Sequence, residues 1–167
     1  MYDELTEVDI RKMQEEIDYR TRVLRPQLIE EVQTARTFGD LSENFEYRCA
    51  KQAKNRNDSR IRYLERMIRT AKVIAPESKD DVVSLFDKVT IYNEMTKGEM
   101  TLRIVTTLRQ DALKGLISKE SPVGKALLGR RVGDRVTVEV SPAMKYQVEV
   151  RAIEKGSDDA SLDISAY

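Results

Sequence analysis

Apolar residues recur at helical spacing on both sides of one glycine, Gly39, which is the only glycine before Gly98. Upstream the seam is Ile10, Met13, Ile17, Leu24, Leu28, Val32 and Ala35. Downstream it is Tyr47, Ala50, Lys54, Asn57, Ile61, Leu64, Ile68 and Ala71. Steps of three, four or seven place each set on one helical face. A glycine between two such runs marks a reversal, because it takes left-handed dihedrals at little steric cost. The spacing therefore predicts two antiparallel helices forming a rod of roughly 40–45 Å, at about 1.5 Å of rise per residue. Thr6, followed by Glu7 and Asp9, is expected to cap the first helix. Pro26 removes the bond to the carbonyl of Arg22, so one bent helix is expected, kinked near Arg22–Arg25. Arg20, Lys54 and Asn57 make the half nearer the glycine polar, which would leave the firm apolar packing at the far end.

Charge is unevenly spread although the formal net charge is zero. Residues 1–47 carry 6 Lys/Arg against 12 Asp/Glu, and residues 48–75 carry 9 against 2. An acidic helix and a basic one favour each other. The basic edge is also suited to facing nucleic acid, DNA or RNA. Histidine is absent and Cys49 is the only cysteine. That excludes an intrachain disulfide, a Cys/His zinc site and the usual general base. Cys49 is expected to be a small packing residue. Any metal would need oxygen ligands and so be Mg²⁺-like or Ca²⁺-like. No long apolar run or signal peptide is evident, so a cytoplasmic protein without membrane contact is expected.

Val73-Ile74-Ala75-Pro76 ends the second helix, since the residue before proline avoids helical dihedrals. Short β-strands are expected at Val82–Leu85, Lys88–Tyr92, Met100–Leu108, Arg135–Val140 and Tyr146–Ile153. Thr96-Lys97-Gly98-Glu99 is a turn between two of them. Pro122 opens and Gly129 follows a short helix. The expected organisation is a hairpin over 1–75, a linker over 76–81, an α+β domain over 82–155 and a loose polar tail over 156–167. Gly124-Lys125-Ala126 lacks the rest of a phosphate-loop pattern, and nucleotide binding there is rejected.

Just past Gly39, Asp40 and Glu43 stand at i and i+3, on one face of any helix they begin. Two readings of the pair stay open. Asp-x-x-Glu is a capping-box variant, with both acids favoured near a helix N-terminus. Alternatively, the carboxylates help hold a divalent cation in a site completed by another macromolecule.

The run Ala35-Arg36…Gly39-Asp40-Leu41-Ser42-Glu43-Asn44…Glu46-Tyr47 resembles the tip of the bacterial GreA/GreB transcript cleavage factors. Arg25-Pro26 matches the family's first helix. Ile117-Ser118…Ser121-Pro122-Val123-Gly124-Lys125-Ala126-Leu127-Leu128-Gly129 and Val132-Gly133-Asp134 match its C-terminal domain. The resemblance spans roughly residues 5–155. It implies an N-terminal antiparallel coiled-coil hairpin followed by a small FKBP-like α+β domain.

In function it implies a transcription elongation factor that enters the secondary channel of RNA polymerase. There it would stimulate Mg-dependent hydrolysis of backtracked RNA, without being an enzyme alone. Asp40 and Glu43 would be the catalytic and metal-binding pair, sharing Mg with the polymerase and holding none stably alone. Asn44, Phe45 and Tyr47 would shape the tip, with Tyr47 also the first seam residue. Arg48, Lys51 and Lys54 would engage the nascent RNA 3′ end, and Ser118, Ser121 and Pro122 would dock on the polymerase. A monomer is expected. Phe45 stands where the family usually has alanine; with Phe38 it either stacks on a base or packs on the turn, the latter being expected. The alternative function is a secondary-channel regulator that inhibits without inducing cleavage. Prolyl isomerisation, suggested by the fold analogy, is disfavoured by the few aromatics over 80–155.

Overall fold

The structure, a computed structural model, describes residues 3–39 and 44–166. The chain divides into two compact units, Ile10–Ala71 and the combination of Met1–Asp9 with Lys72–Tyr167. The first nine residues therefore belong with the C-terminal unit, not with the hairpin as the 1–75 boundary supposed. The reason is pairing. Strand β1 (Glu4–Leu5) runs parallel to β2 (Lys72–Val73), a contact that no local pattern announces.

Helix α1 (Glu7–Tyr19) begins at the expected cap: Asp9 N–H donates to Thr6 Oγ1 at 3.3 Å, and Thr6 N–H donates to Asp9 Oδ2 at 3.0 Å. The irregularity expected at Pro26 is a π turn over Arg20–Leu24, after which α2 (Arg25–Arg36) continues. Arg25 N–H reaches back to the Arg20 carbonyl, and the wider turn accommodates the N–H that proline lacks without ending the helix. The returning helix α3 (Phe45–Thr70) has 26 residues, about 39 Å of rise.

The seam between these helices is apolar near the turn as well as far from it. Leu28, Val32 and Ala35 are buried on α2, and Ile61 and Leu64 on α3. The polar stretch is confined to a middle layer. Arg60 Nε lies 2.8 Å and Arg20 Nε 2.7 Å from Glu16 Oε1. Arg20 also donates to Asn57 Oδ1 at 3.0 Å, while Asn57 Nδ2 donates to the Arg20 carbonyl at 3.2 Å. Lys54, expected in the seam, instead pairs with Asp58 at 3.0 Å, and Arg25 binds the same carboxylate at 3.0 Å. A long amine reaches a neighbouring acid one turn away more readily than it remains in an apolar seam.

The other unit is a five-stranded sheet in the order β5-β4-β3-β7-β6. Its strands are β3 (Lys88–Asn93), β4 (Gly98–Val105), β5 (Leu116–Ser118), β6 (Arg135–Ser141) and β7 (Met144–Glu154). All neighbours pair antiparallel except β4 and β5. Alternation supplies the inward face: Val89 and Ile91, Leu102 and Ile104, Val136 and Val138, Val148 and Val150 are all buried. Helix α4 (Pro122–Leu127) adds Leu127 to that core.

The expected strand at Val82–Leu85 is not formed; this stretch and the turn after it are irregular. Buried Asp87 accepts from Ser84 N–H at 2.8 Å, Lys155 Nζ at 2.6 Å and Gly156 N–H at 3.0 Å. Phe86 takes a φ of +72°, costly for a bulky residue, with its ring buried.

Residues 156–166 are not loose. A Cβ at Gly156 would collide with the Phe86 carbonyl, so only glycine lets the chain pass there. Arg103 donates to the Ser157 carbonyl at 3.0 Å, Leu162 packs on the cluster of Phe86, Val105 and Leu116, and Ser165 N–H donates to the Leu108 carbonyl at 2.7 Å. At the centre lies Arg109, 1% exposed. Its Nε donates to buried Asp9 Oδ1 at 2.6 Å, and its Nη1 donates to the Asp159 carbonyl at 3.0 Å. Asp158 Oδ1 lies 2.5 Å from the same nitrogen, a charge contact without hydrogen-bond alignment. The guanidinium sits over Phe86, 5.3 Å from the ring centroid.

Arg109→Met should destabilise the sheet unit by about 3–5 kcal/mol, because Asp9 is left buried and unpaired; thermal unfolding of the two proteins measures this. A second expectation concerns acid. Burial opposes ionisation of Glu16, but hydrogen bonds from Arg60 and Arg20 outweigh it and hold the carboxyl below its ordinary 4.5. The contribution is complete above pH 4.5 and disappears as pH falls through the lowered folded value. Circular dichroism melts should show the hairpin losing stability below that pH, with Glu16→Gln less stable at neutrality and flatter in acid.

Candidate functional site at the hairpin turn

Helix α2 ends in a sequence of local bonds. Thr37 Oγ1 donates to the Thr34 carbonyl at 2.6 Å, and Phe38 N–H to the Ala35 carbonyl at 3.2 Å. Gly39 follows with φ +117°, the left-handed conformation that the reversal requires. The chain is next described at Asn44. Asp40, Leu41, Ser42 and Glu43, and with them the expected catalytic and metal-binding pair, lie outside the described residues.

Both flanks of that segment are tied to one side chain. Asn44 Oδ1 accepts from Tyr47 N–H at 3.0 Å, which makes Asn44 the N-cap of α3. Its Nδ2 donates to the Ala35 carbonyl at 2.7 Å, satisfying an end group of α2. One amide therefore starts one helix and closes the other. Asn44 holds the cap position of α3, and the capping-box reading of Asp40 and Glu43 falls on residues outside the described ones. A polar residue of capping type three places before Tyr47 was a legible N-cap signal. The bond to Ala35 was not, since it depends on how the hairpin closes.

Tyr47 is half-buried and flanked by two cations, Arg36 at 5.6 Å and Lys51 at 5.9 Å from its ring centroid. Arg36 was not singled out by sequence; it joins this face only because the helices pair. Arg48 and Lys51 are exposed, while Lys54 is engaged by Asp58. The expectation that Phe38 and Phe45 pack on the turn does not hold. They are 64% and 70% exposed, because the buried positions there are taken by smaller residues such as Ala35. Cys49 is exposed on α3 and is not the packing residue expected.

The expected docking residues lie far from this turn in sequence, in the sheet unit. Ser118 is buried, lies 3.2 Å from Thr107 Oγ1 and accepts from Glu120 N–H at 3.1 Å. Ser121 caps α4 through Gly124 N–H at 3.0 Å and donates to the Ser118 carbonyl at 2.7 Å. Pro122 is exposed at the first helical position. The two serines therefore have structural work within the fold. Among the described residues no helix is long and apolar enough to cross a membrane.

Residues 4–73 match the family described as transcription elongation factor, N-terminal, and residues 77–155 match transcription elongation factor, GreA/GreB, C-term. The chain belongs to the GreA/GreB family of transcription elongation factors. It is 43% identical over 152 residues to transcription elongation factor GreA of Thermoanaerobacter pseudethanolicus, covering 90% of this chain and 96% of that one. It is 41% identical to GreA of Geobacillus kaustophilus, covering 89% and 94%. Among solved structures, the GreA factor homolog 1 of Thermus thermophilus is 25% identical over 93% of this chain and 100% of that chain, with a TM-score of 0.42. A transcription elongation factor role is what that membership supports.

Replacing Asn44 separates its two bonds. Asn44→Asp keeps the cap and loses the donor to Ala35, whereas Asn44→Ala loses both and should cost about 1 kcal/mol for the cap alone. Amide hydrogen exchange at Tyr47 should accelerate in Asn44→Ala and stay near wild type in Asn44→Asp.

Proposed function

We propose that this chain binds RNA polymerase, enters its secondary channel with the hairpin and stimulates Mg²⁺-dependent hydrolysis of backtracked RNA, so that arrested complexes resume. The observation that carries this reading is the division of labour at the turn. Asn44 caps α3 and binds the end of α2, so the neighbouring acids are not needed for that cap.

Asp40 and Glu43 are hard oxygen donors of the class that Mg²⁺ accepts, and the ion takes its remaining ligands from water and phosphate. When held jointly with the polymerase, Mg²⁺ supplies activation of water and stabilisation of charge in phosphodiester cleavage. The chain's part is to carry the two carboxylates on a stiff support. Two carboxylates alone are an incomplete site, which agrees with a factor that is inert without its partner. Arg48 and Lys51, exposed beside Tyr47, attract the RNA backbone near its 3′ end. Lys54 contributes less, being neutralised by Asp58. Such a factor works in the cytoplasm as a monomer.

The exposed ring of Phe45, 70% accessible, favours a second reading. Beside the acids it can stack on a base, worth about 1–3 kcal/mol, or obstruct substrate entry without cleavage. Slower nucleotide addition with no shortened RNA, when the protein is added to active polymerase, would select that reading.

The deciding experiment is the pair Asp40→Asn with Glu43→Gln. These amides keep size and polarity but remove the charge. RNA cleavage in stalled complexes is expected to fall to the unassisted level while binding to polymerase survives; undiminished cleavage would refute the proposal.

A further inference from the structure

The face of the hairpin that this function leaves unused is a groove between α2 and α3 beside the turn, about 760 Å³ in volume. Its floor includes Ala35, Ala50 and Ala53. Small residues there allow a third helix axis to approach to the roughly 8–10 Å of close helix packing. Its rim carries Glu30 and Glu31 from α2 and Glu46 from α3, all exposed. Among the described residues none of these three makes an ion pair, and no lysine or arginine lines the groove. On the same hairpin Glu16 and Asp58 do find cations. Phe38 stands at the turn end of the same groove with its ring 64% exposed.

Unpaired carboxylates around an apolar floor complement an apolar stripe flanked by lysine or arginine. The same carboxylates repel phosphates, so the groove does not suit RNA. The cations near the turn, Arg36 and Lys51, gather at Tyr47 instead. Resting on the reading of polymerase as the partner, we infer that this groove seats a basic amphipathic helix of the polymerase. The hairpin then has one face for nucleic acid and another for protein.

Two measurements on the full chain with intact polymerase test this. In the first, Glu30→Lys, Glu31→Lys and Glu46→Lys are combined and the factor concentration giving half-maximal RNA cleavage is read. It should rise at least tenfold, with maximal cleavage at saturation retained. An unchanged half-maximal concentration would overturn the groove assignment while leaving the cleavage function standing. The second needs no charge reversal and so does not depend on the variant folding. Cys49, the only cysteine, lines the groove and carries a maleimide-linked benzophenone. Photolysis should join it to a polymerase peptide with lysine or arginine at helical spacing. Capture of RNA, of a second copy of this chain, or of no polymerase peptide would overturn the inference. A wild-type chain that neither binds polymerase nor promotes cleavage would remove the proposed function and this inference together.

Discussion

The polar layer formed by half-buried Glu16 and Arg20 with buried Asn57 and Arg60 sets the register of the hairpin. An apolar seam of repeating spacing tolerates sliding by a heptad, because one layer of aliphatic side chains resembles the next. A layer in which two arginines share one carboxylate and an asparagine exchanges bonds with Arg20 has one satisfactory alignment. Any other leaves buried Arg60 without its carboxylate partner, which is unfavourable. With that alignment made, the Ala35 carbonyl comes within reach of the Asn44 amide. The Asn44–Ala35 bond is thus compatible with the alignment that the middle of the rod selects.

The same economy of charge explains the two faces near the turn. Among the described residues the ion pairs that cross between the two helices lie in the middle of the hairpin, where Glu16 meets Arg60 and Asp58 meets Arg25. Towards the turn no ion pair is made among the described residues. Cations gather around Tyr47 on one side, and glutamates border the alanine-floored groove on the other. A surface whose charges are not neutralised internally is available for partners, and its sign selects which partner.

In the sheet unit, Arg109 plays the corresponding part. It draws Asp9 from the start of the chain and Asp158 and the Asp159 carbonyl from near its end around one guanidinium. The family match ends at residue 155, yet the residues beyond it complete the surroundings of a fully buried arginine. Those residues are therefore part of the fold of this chain. The strained Phe86 backbone persists because Arg103 binds its carbonyl at 2.9 Å and Gly156 packs against it.

Elements that depend on neighbours in sequence were legible before the structure. The two helical seams, the glycine reversal with its positive φ, the Thr6–Asp9 cap, the irregularity ahead of Pro26 and four of the strands all follow from local periodicity and backbone preference. The acidic pair was legible as residue types and as a family resemblance, and its geometry lies outside the described residues. What spacing could not decide was everything that joins residues far apart. That includes the β1–β2 pairing, the irregular path through Phe86, the seated tail, the second bond of Asn44, and the exposure of Phe38, Phe45 and Cys49. A helix or turn is selected by dihedral preferences and bonds within a few residues, which the chain carries wherever it goes. Burial, ion pairing and the closing of a loop are settled only when the folded chain chooses which distant group stands opposite.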